Sequence, residues 1–488
     1  MTWAYIRYSS EGRNPATHPK TLFKVIVYGY MNLLYSSRKI EKACRRDINF
    51  MWLLGGEPVP DHCTINRFRR DRLGKTMEGL FYQLIEKLCE LGEVNFEDVF
   101  EDGTKLEANA NRYTFVWRKA VEKYEAKLRL KLSGVAEEIN KLYLTAFTAT
   151  ADTALEDIER MTTFLKLRQR EENVEFVHGK GRRKSNVQKL LEELNALHER
   201  QKGYDRSNRL FNGRNSYSKT DTDATFMRMK EDHMRNGQLK PGYNIQLAVE
   251  AEYVIGAGVF PDRSDLGTLK PLLENMRRQI PGMQIKRFIG DSGYESEENY
   301  QYLESKGIEA YIKPQTYEQQ KKRSFKKKIG RRENMAYNPE TDEYTCHNGR
   351  KLKPVGIKKR KSATGYVSEV TVYECDSCEG CPHKAQCTKA KGNRRLEVSK
   401  VFLEKRQKSL ENITSERGVL LRVNRSIQSE GAFGILKEDR HFRRFLTRGK
   451  RNVTTEILLL CFAYNVNKLH AKIQDERCGK PLHDLNAA

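Results

Sequence analysis

Between Tyr243 and Pro314 the hydrophobic pattern leaves the chain little choice of fold. YNIQLAVE and VIGAGVF alternate or run apolar on either side of a Glu250-Ala251-Glu252 turn, so they read as an antiparallel hairpin. A helix follows from Asp265, then the strand IKRFIGD, a helix from near Ser296 and the strand IEAYIKP. With the apolar pair Val99 and Phe100 adding an upstream strand, this order predicts an α/β domain built on a mixed sheet.

Two of these strands run into an aspartate and then a glycine. Asp102 stands in VFEDGTK and Asp291 in FIGDSGY. Each strand is expected to deliver its carboxylate to its C-terminal edge, with Gly103 or Gly293 turning the backbone away. A third acid, Glu430, sits on a predicted helix. Lys437 and Arg444 follow it at seven and fourteen residues, a spacing that keeps all three on one helical face as far as the helix extends. Three such carboxylates suit two-metal phosphodiester chemistry with Mg²⁺, which needs one or two carboxylates per ion and keeps its waters. Acidic turn residues and surface ion-pair stripes are the competing readings.

Charge points to a polyanionic partner. Lys and Arg number 89 against 65 Asp and Glu, a net charge of +24, which favours phosphate contacts over a merely solubilising surface. The longest apolar run, Ile457 to Tyr464, is far short of the roughly 18 residues of a membrane span. The start MTWAYIRYSS lacks a signal-peptide pattern, so the ten cysteines are expected in a reducing compartment.

Helical patterns fill the N-terminal part as KTLFKVIVYGYMNLLY, SSRKIEKACRRDINFMWLLG and DHCTINRFRRDRL. In the last, Asp61 can cap a helix that exposes His62, Asn66, Arg67 and Arg70 and turns Ile65 and Phe68 inward. It reads as a recognition helix or as an ordinary basic helix of a bundle. Residues 114–209 are expected to be helical and mostly solvated; Trp117 and the tract GKGRRKS around Arg182 are possible DNA contacts there. Residues 314–400 form a basic insertion, followed by helices over 400–422 and 424–441 and a buried helix over TTEILLLCFAYNVNKLH.

The insertion holds Cys375, Cys378, Cys381 and Cys387, with Cys346 upstream. Two-residue spacings between thiols predict a structural Zn²⁺ site, with an iron–sulfur cluster or free thiols as alternatives and His347 or His383 as substitute ligands. Cys44, Cys63, Cys89, Cys461 and Cys478 are isolated.

Taken with these motifs, the chain resembles the DDE transposases of bacterial insertion sequences. RYSSEGRNP to TINRFRRDRL is similar to the family's helical N-terminal domain. EDGTKLEANANRYTFVWRK carries the first aspartate, and Asp291, Gly293 and Tyr294 match an Asp-x-Gly-Tyr pattern. NRSIQSEGAFGILKEDRHFRRF resembles the signature Tyr-x2-Arg-x3-Glu-x6-Lys, with Glu430 and Lys437 keeping the last interval. Two departures stand out: Arg422 replaces the tyrosine, and four residues rather than three separate Arg425 from Glu430. On an ideal helix the extra residue turns Arg425 ~140° from the glutamate.

The resemblance implies a ribonuclease H-like mixed sheet with flanking helices over 91–313 and 401–475, with a helical insertion at about 114–209. It also implies an all-helical DNA-binding domain over 1–90 and a cysteine-rich insertion over 314–400. Asp102, Asp291 and Glu430 would be the catalytic Mg²⁺ or Mn²⁺ ligands. Lys437, Arg425, Arg444, Arg67 and Arg70 would contact DNA, and Trp117 would stack on a flipped base unless it only packs the core. The implied reaction is hydrolysis at transposon ends followed by attack of the freed 3′-hydroxyl on target DNA. The implied partners are terminal inverted repeats, target DNA and a second copy in a homodimer or larger synaptic complex, in a bacterial cytoplasm near the nucleoid. A nuclease of the same fold without strand transfer, or an inactive DNA-binding derivative, are the rival readings.

Overall fold

The computed structural model describes residues 17–149, 154–179, 181, 183–229 and 237–480. Two compact units emerge. One holds residues 107–243 and 448–450; the other holds the described residues before 107, 244–447 and those from 451 onward. The segment 7–15 and Arg182, both named above, lie outside the described residues.

The larger unit begins with helices α1 (Pro19–Met31), α2 (Ser37–Cys44), α3 (Ile48–Leu54), α4 (His62–Arg67) and α5 (Gly74–Glu90). The stretch expected as one helix from Ser36 is two, because the Asp47 side chain accepts from Asn49 N at 2.9 Å and starts α3 afresh. Asp61 caps α4 by accepting from Thr64 N at 2.8 Å, and Ile65 and Phe68 are buried. A six-residue π-helical stretch, Phe68–Leu73, then carries α4 into α5. Under it Arg69 is buried, donating to the Tyr30 hydroxyl and the Tyr35 carbonyl. Strand β1 (Asp98–Glu107) follows.

The smaller unit contains β2 (Phe115–Trp117), α6 (Arg118–Tyr143), α7 (Ala154–Glu171), α8 (Asn186–Phe211), β3 (Ser216–Ser218) and β4 (Thr225–Arg228). Its three long helices are mostly solvated, as expected, but each buries a narrow apolar stripe. Leu132, Ile139, Met161, Leu165 and Leu194 close on one another as a separate hydrophobic core, so their apolar stripes face each other.

Back in the larger unit, β5 (Leu239–Glu250), β6 (Tyr253–Phe260), β7 (Arg287–Gly290) and β8 (Glu309–Ile312) join β1 in the order β6-β5-β1-β7-β8. β5 and β6 pair antiparallel; β1, β7 and β8 are parallel. Ala251 and Glu252 turn the hairpin with φ of 48° and 69°, the left-handed geometry that matches strand twist in a tight hairpin. Helix α9 (Leu269–Gln279) leads from β6 to β7, and α10 (Glu297–Ser305) connects the parallel β7 and β8.

Next come α11 (Tyr317–Gln320), α12 (Arg323–Lys326) and an antiparallel sheet of β9 (Ala336–Asn338), β10 (Glu343–Thr345), β11 (Lys351–Lys361), β12 (Val367–Cys375) and β13 (Arg395–Val398), with α13 (Lys384–Cys387) before the last strand. The chain closes with α14 (Lys400–Thr414), α15 (Glu416–Arg425), α16 (Gly431–Gly434) and α17 (Lys450–Gln474). Leu421 of α15 and Ile413 of α14 pack on Phe100, Ile289 and Tyr311, which lays both helices against one face of β1, β7 and β8. The α17 helix is buried through its centre, and its Asn465 side chain donates to Val254 O at 2.8 Å and accepts from Val254 N at 2.9 Å. This covers the open edge of β6.

Glu250, at the end of β5, accepts from Phe96 N at 2.7 Å and Glu97 N at 2.9 Å and so fixes the approach to β1. Burial pushes its carboxyl up to about 7, against the pull of these backbone hydrogen bonds. A carboxyl whose folded pKa exceeds its unfolded one holds its proton more tightly when folded. Its stabilisation is complete below about pH 4.5 and is lost as the pH rises through about 7. Urea unfolding followed from pH 5 to 8 is therefore expected to show falling stability across this window. Glu250→Gln should flatten that fall while costing about 1–3 kcal/mol, because its amide cannot accept both N–H groups.

Candidate active site

Strand register brings the first two acids together. β1 and β7 pair in parallel from Asp98 opposite Arg287 to Glu101 opposite Gly290. One step further along the same register stand Asp102 and Asp291, on strands about 4.8 Å apart. Asp102 is not at a strand end, as expected from sequence, since β1 continues to Glu107. Asp291 does leave its strand, capping a 3₁₀ turn over Ser292–Tyr294 by accepting from Gly293 N at 2.7 Å.

Gly103 does not turn the backbone, since β1 runs on through it, whereas Gly293 lies in the turn that follows Asp291. Neither has a positive φ. A Cβ on Gly103 would lie 2.2 Å from Gln246 Nε2 and 2.9 Å from Asp265 Oδ1, and one on Gly293 would lie 3.1 Å from Asp265 Oδ2. Asp265 is thus wedged against both backbones, held by the Asn244 amide at 2.7 Å and the Gln246 amide at 2.8 Å. From sequence it stands only as a helix start. The available signal was a pair of glycines after two strand-borne acids, which asks what approaches so closely.

Alternation along β1 separates the neighbours of Asp102. Phe100 belongs to the cluster under α14 and α15, and Asp102 shares its face. Glu101 points the other way, fully buried near Tyr294, whose hydroxyl donates to Gln246 Oε1. Burial raises the Glu101 carboxyl well above the usual range, and the negative charges of Asp265, Asp102 and Asp291 add to this while Tyr294 opposes it.

Glu430 reaches the site through Arg425. The Arg425 guanidinium lies 3.1 Å from Glu430 Oε1 and 4.0 Å from Asp102 Oδ2. On an α-helix the five-residue separation would turn the pair apart. Here Ser426–Glu430 is π-helical, and i→i+5 bonding realigns positions five apart. The extra residue in the signature is absorbed as one π turn, so Arg425 faces the glutamate after all.

The remaining candidates are placed differently. Lys437 is buried in a further π stretch, Ile435–Asp439, where the helix ends. Arg444 lies beyond that end, so it does not continue the face of Glu430 and Lys437. Arg67 is exposed on α4, and Arg70 is exposed but paired with Asp71 at 2.7 Å. Trp117, in the smaller unit, is half-buried with its ring 5.7 Å from Phe115 and 6.2 Å from Phe226.

The cysteines also gather. Cys375 and Cys378 are buried in one cluster with Cys346 and Cys387 at its margin. Burial, then the hydrogen bond with Cys378, pushes the Cys375 thiol up to about 12. Among the described residues, however, no three His, Cys, Asp or Glu side chains are arranged to hold a metal ion. The expected zinc or iron–sulfur site on Cys346, Cys375, Cys378, Cys381 and Cys387 therefore has no support in the side-chain positions. The same holds for Asp102, Asp291 and Glu430: their carboxylate oxygens are the donor type that suits a hard ion such as Mg²⁺, but as placed they form no three-residue metal group, and Arg425 stands between two of them.

Residues 345–470 match the family described as Transposase DDE domain, and residues 4–71 match Transposase domain (DUF772). The first match contains Arg425, Glu430 and Lys437; the second contains Arg67 and Arg70. No curated protein matches the chain.

The close approach of the Gln246 amide, with Asp265 behind it, makes Gly103 intolerant of a side chain. Gly103→Ala is expected to lower stability by about 1–3 kcal/mol, the usual cost of overpacking a filled site, read as a shift of the urea midpoint. Gly293→Ala, where the approach is looser, should cost less.

Proposed function

We propose that this chain, which its two matches mark as a DDE transposase of an insertion-sequence type, cuts DNA at the ends of its element and joins the freed 3′-hydroxyl to target DNA. The observation that carries this reading is the Arg425 bridge. It draws Asp102 and Glu430 to one guanidinium although they lie on elements more than 300 residues apart. The register of β1 on β7 adds Asp291 beside Asp102.

Asp102, Asp291 and Glu430 would hold the divalent ions, Mg²⁺ or Mn²⁺. Such ions, when bound, activate the attacking oxygen and stabilise charge on the leaving one. The chain's own groups do the positioning. The β1–β7 pairing fixes two carboxylates side by side, Asp265 holds the backbones beneath them, and Arg425 offers a bidentate fork that suits a phosphate once released from the acids. Lys437 keeps the family interval behind Glu430.

The mixed sheet with β1 at its centre supports a ribonuclease H-like core, and the helices α1 to α5 with exposed Arg67 support DNA binding by the N-terminal part. The net charge of +24 supports duplex DNA, including terminal inverted repeats, as the partner. Joining two ends requires a dimer or larger assembly.

Asp102→Asn, Asp291→Asn and Glu430→Gln are each expected to lower Mg²⁺-dependent strand transfer of labelled element ends by more than about 100-fold, beyond the loss typical of an outer-shell partner. End binding in a mobility-shift assay should persist. Full strand transfer by Asp102→Asn would end the assignment. Cleavage without joining by the wild-type chain would make it a nuclease.

A further inference from the structure

We propose that the β11–β12 hairpin is a DNA-binding ribbon that seats in a groove of the duplex and presents it to the carboxylates. This rests on the chain acting on DNA, as argued above. The hairpin pairs from Leu352 opposite Cys375 to Lys361 opposite Val367, with a bulge between Pro354 and Gly356. Every residue from Lys353 to Lys361 is exposed, an unusual state for nine consecutive strand residues. Five of them are cations: Lys353, Lys358, Lys359, Arg360 and Lys361.

Their acidic neighbours hold them loosely. Lys353 lies 3.6 Å from Asp376, Lys358 3.4 Å from Glu397 and Lys359 3.9 Å from Glu369, all exposed pairs of the kind worth little in water. Ile357 and Val367 are exposed among these cations. A hydrophobic strand left this open invites edge-to-edge pairing unless charge guards it, and here positive charge alone dominates the strand. A two-stranded ribbon is also one of the few elements that fits the major groove.

The tip is tethered to α10. The Tyr366 hydroxyl donates to Glu297 Oε1 at 2.9 Å and Thr364 donates to Glu298, both in the first turn of α10. That helix starts six residues after Asp291, so a duplex lying along the ribbon meets the larger unit next to the candidate site.

The test measures binding of end-containing duplex DNA as a function of salt, with the full chain carrying Lys359→Ala, Arg360→Ala and Lys361→Ala. Affinity at moderate salt is expected to fall at least about tenfold, and the salt slope to become shallower by about 0.9 for each phosphate that the variant no longer neutralises. An unchanged slope and affinity would overturn the proposal, as would intact DNA binding with loss of binding to anionic phospholipid vesicles. Asp102→Asn run alongside is expected to keep the wild-type slope and lose only strand transfer. Failure of the catalytic reading thus registers in the transfer assay, and failure of the ribbon in the slope.

Discussion

The parallel pairing of β1 with β7 is the constraint on which the rest of the acidic cluster depends. Register in a sheet is quantised, and a slip of one residue would send every side chain of β1 to the opposite face. Asp102 would then leave the side covered by α15, and Glu101 would take its place. The apolar partners settle this. Phe100 and Ile289 are packed under Ile413 and Leu421, so the same burial that stabilises the sheet also decides which acid meets Arg425.

Concentrating carboxylates in one place has an electrostatic cost, and the chain offsets it in three different ways. Arg425 supplies a counter-charge to Asp102 and Glu430. Asp265 is stabilised by two neutral amide donors rather than by a cation. Glu101 is buried completely, which pushes its carboxyl well above the usual range and disfavours its charged form. Only the groups turned toward α15 share a cation. The others hold the scaffold.

The sheet was legible in the sequence because its signals are local. The alternating YNIQLAVE and VIGAGVF, the capping residues Asp61 and Ser296, and the uniformly apolar centre of α17 each announce their element within a few residues. What stayed hidden depends on contacts distant in sequence. Asp265 looks like any helix-starting aspartate until Gly103 and Gly293, 162 residues behind and 28 ahead, are seen against it. The three helices of the smaller unit are wet over most of their surface, as their charges announce, while their narrow apolar stripes find one another only in the fold. The thiol spacings were suggestive, yet spacing fixes neither the direction nor the distance of a side chain.

The π turn between Arg425 and Glu430 bears on how chains of this kind are compared. Positional equivalence along a helix is usually judged by counting residues, and by that count the arginine here is displaced and would be scored as missing. Equivalence in space is set by the hydrogen-bonding step instead. One residue added to a helix can be stored as a local widening without disturbing what faces the site on either side of it. An alignment that forbids gaps inside helices will therefore discard a position that the fold has kept facing the glutamate.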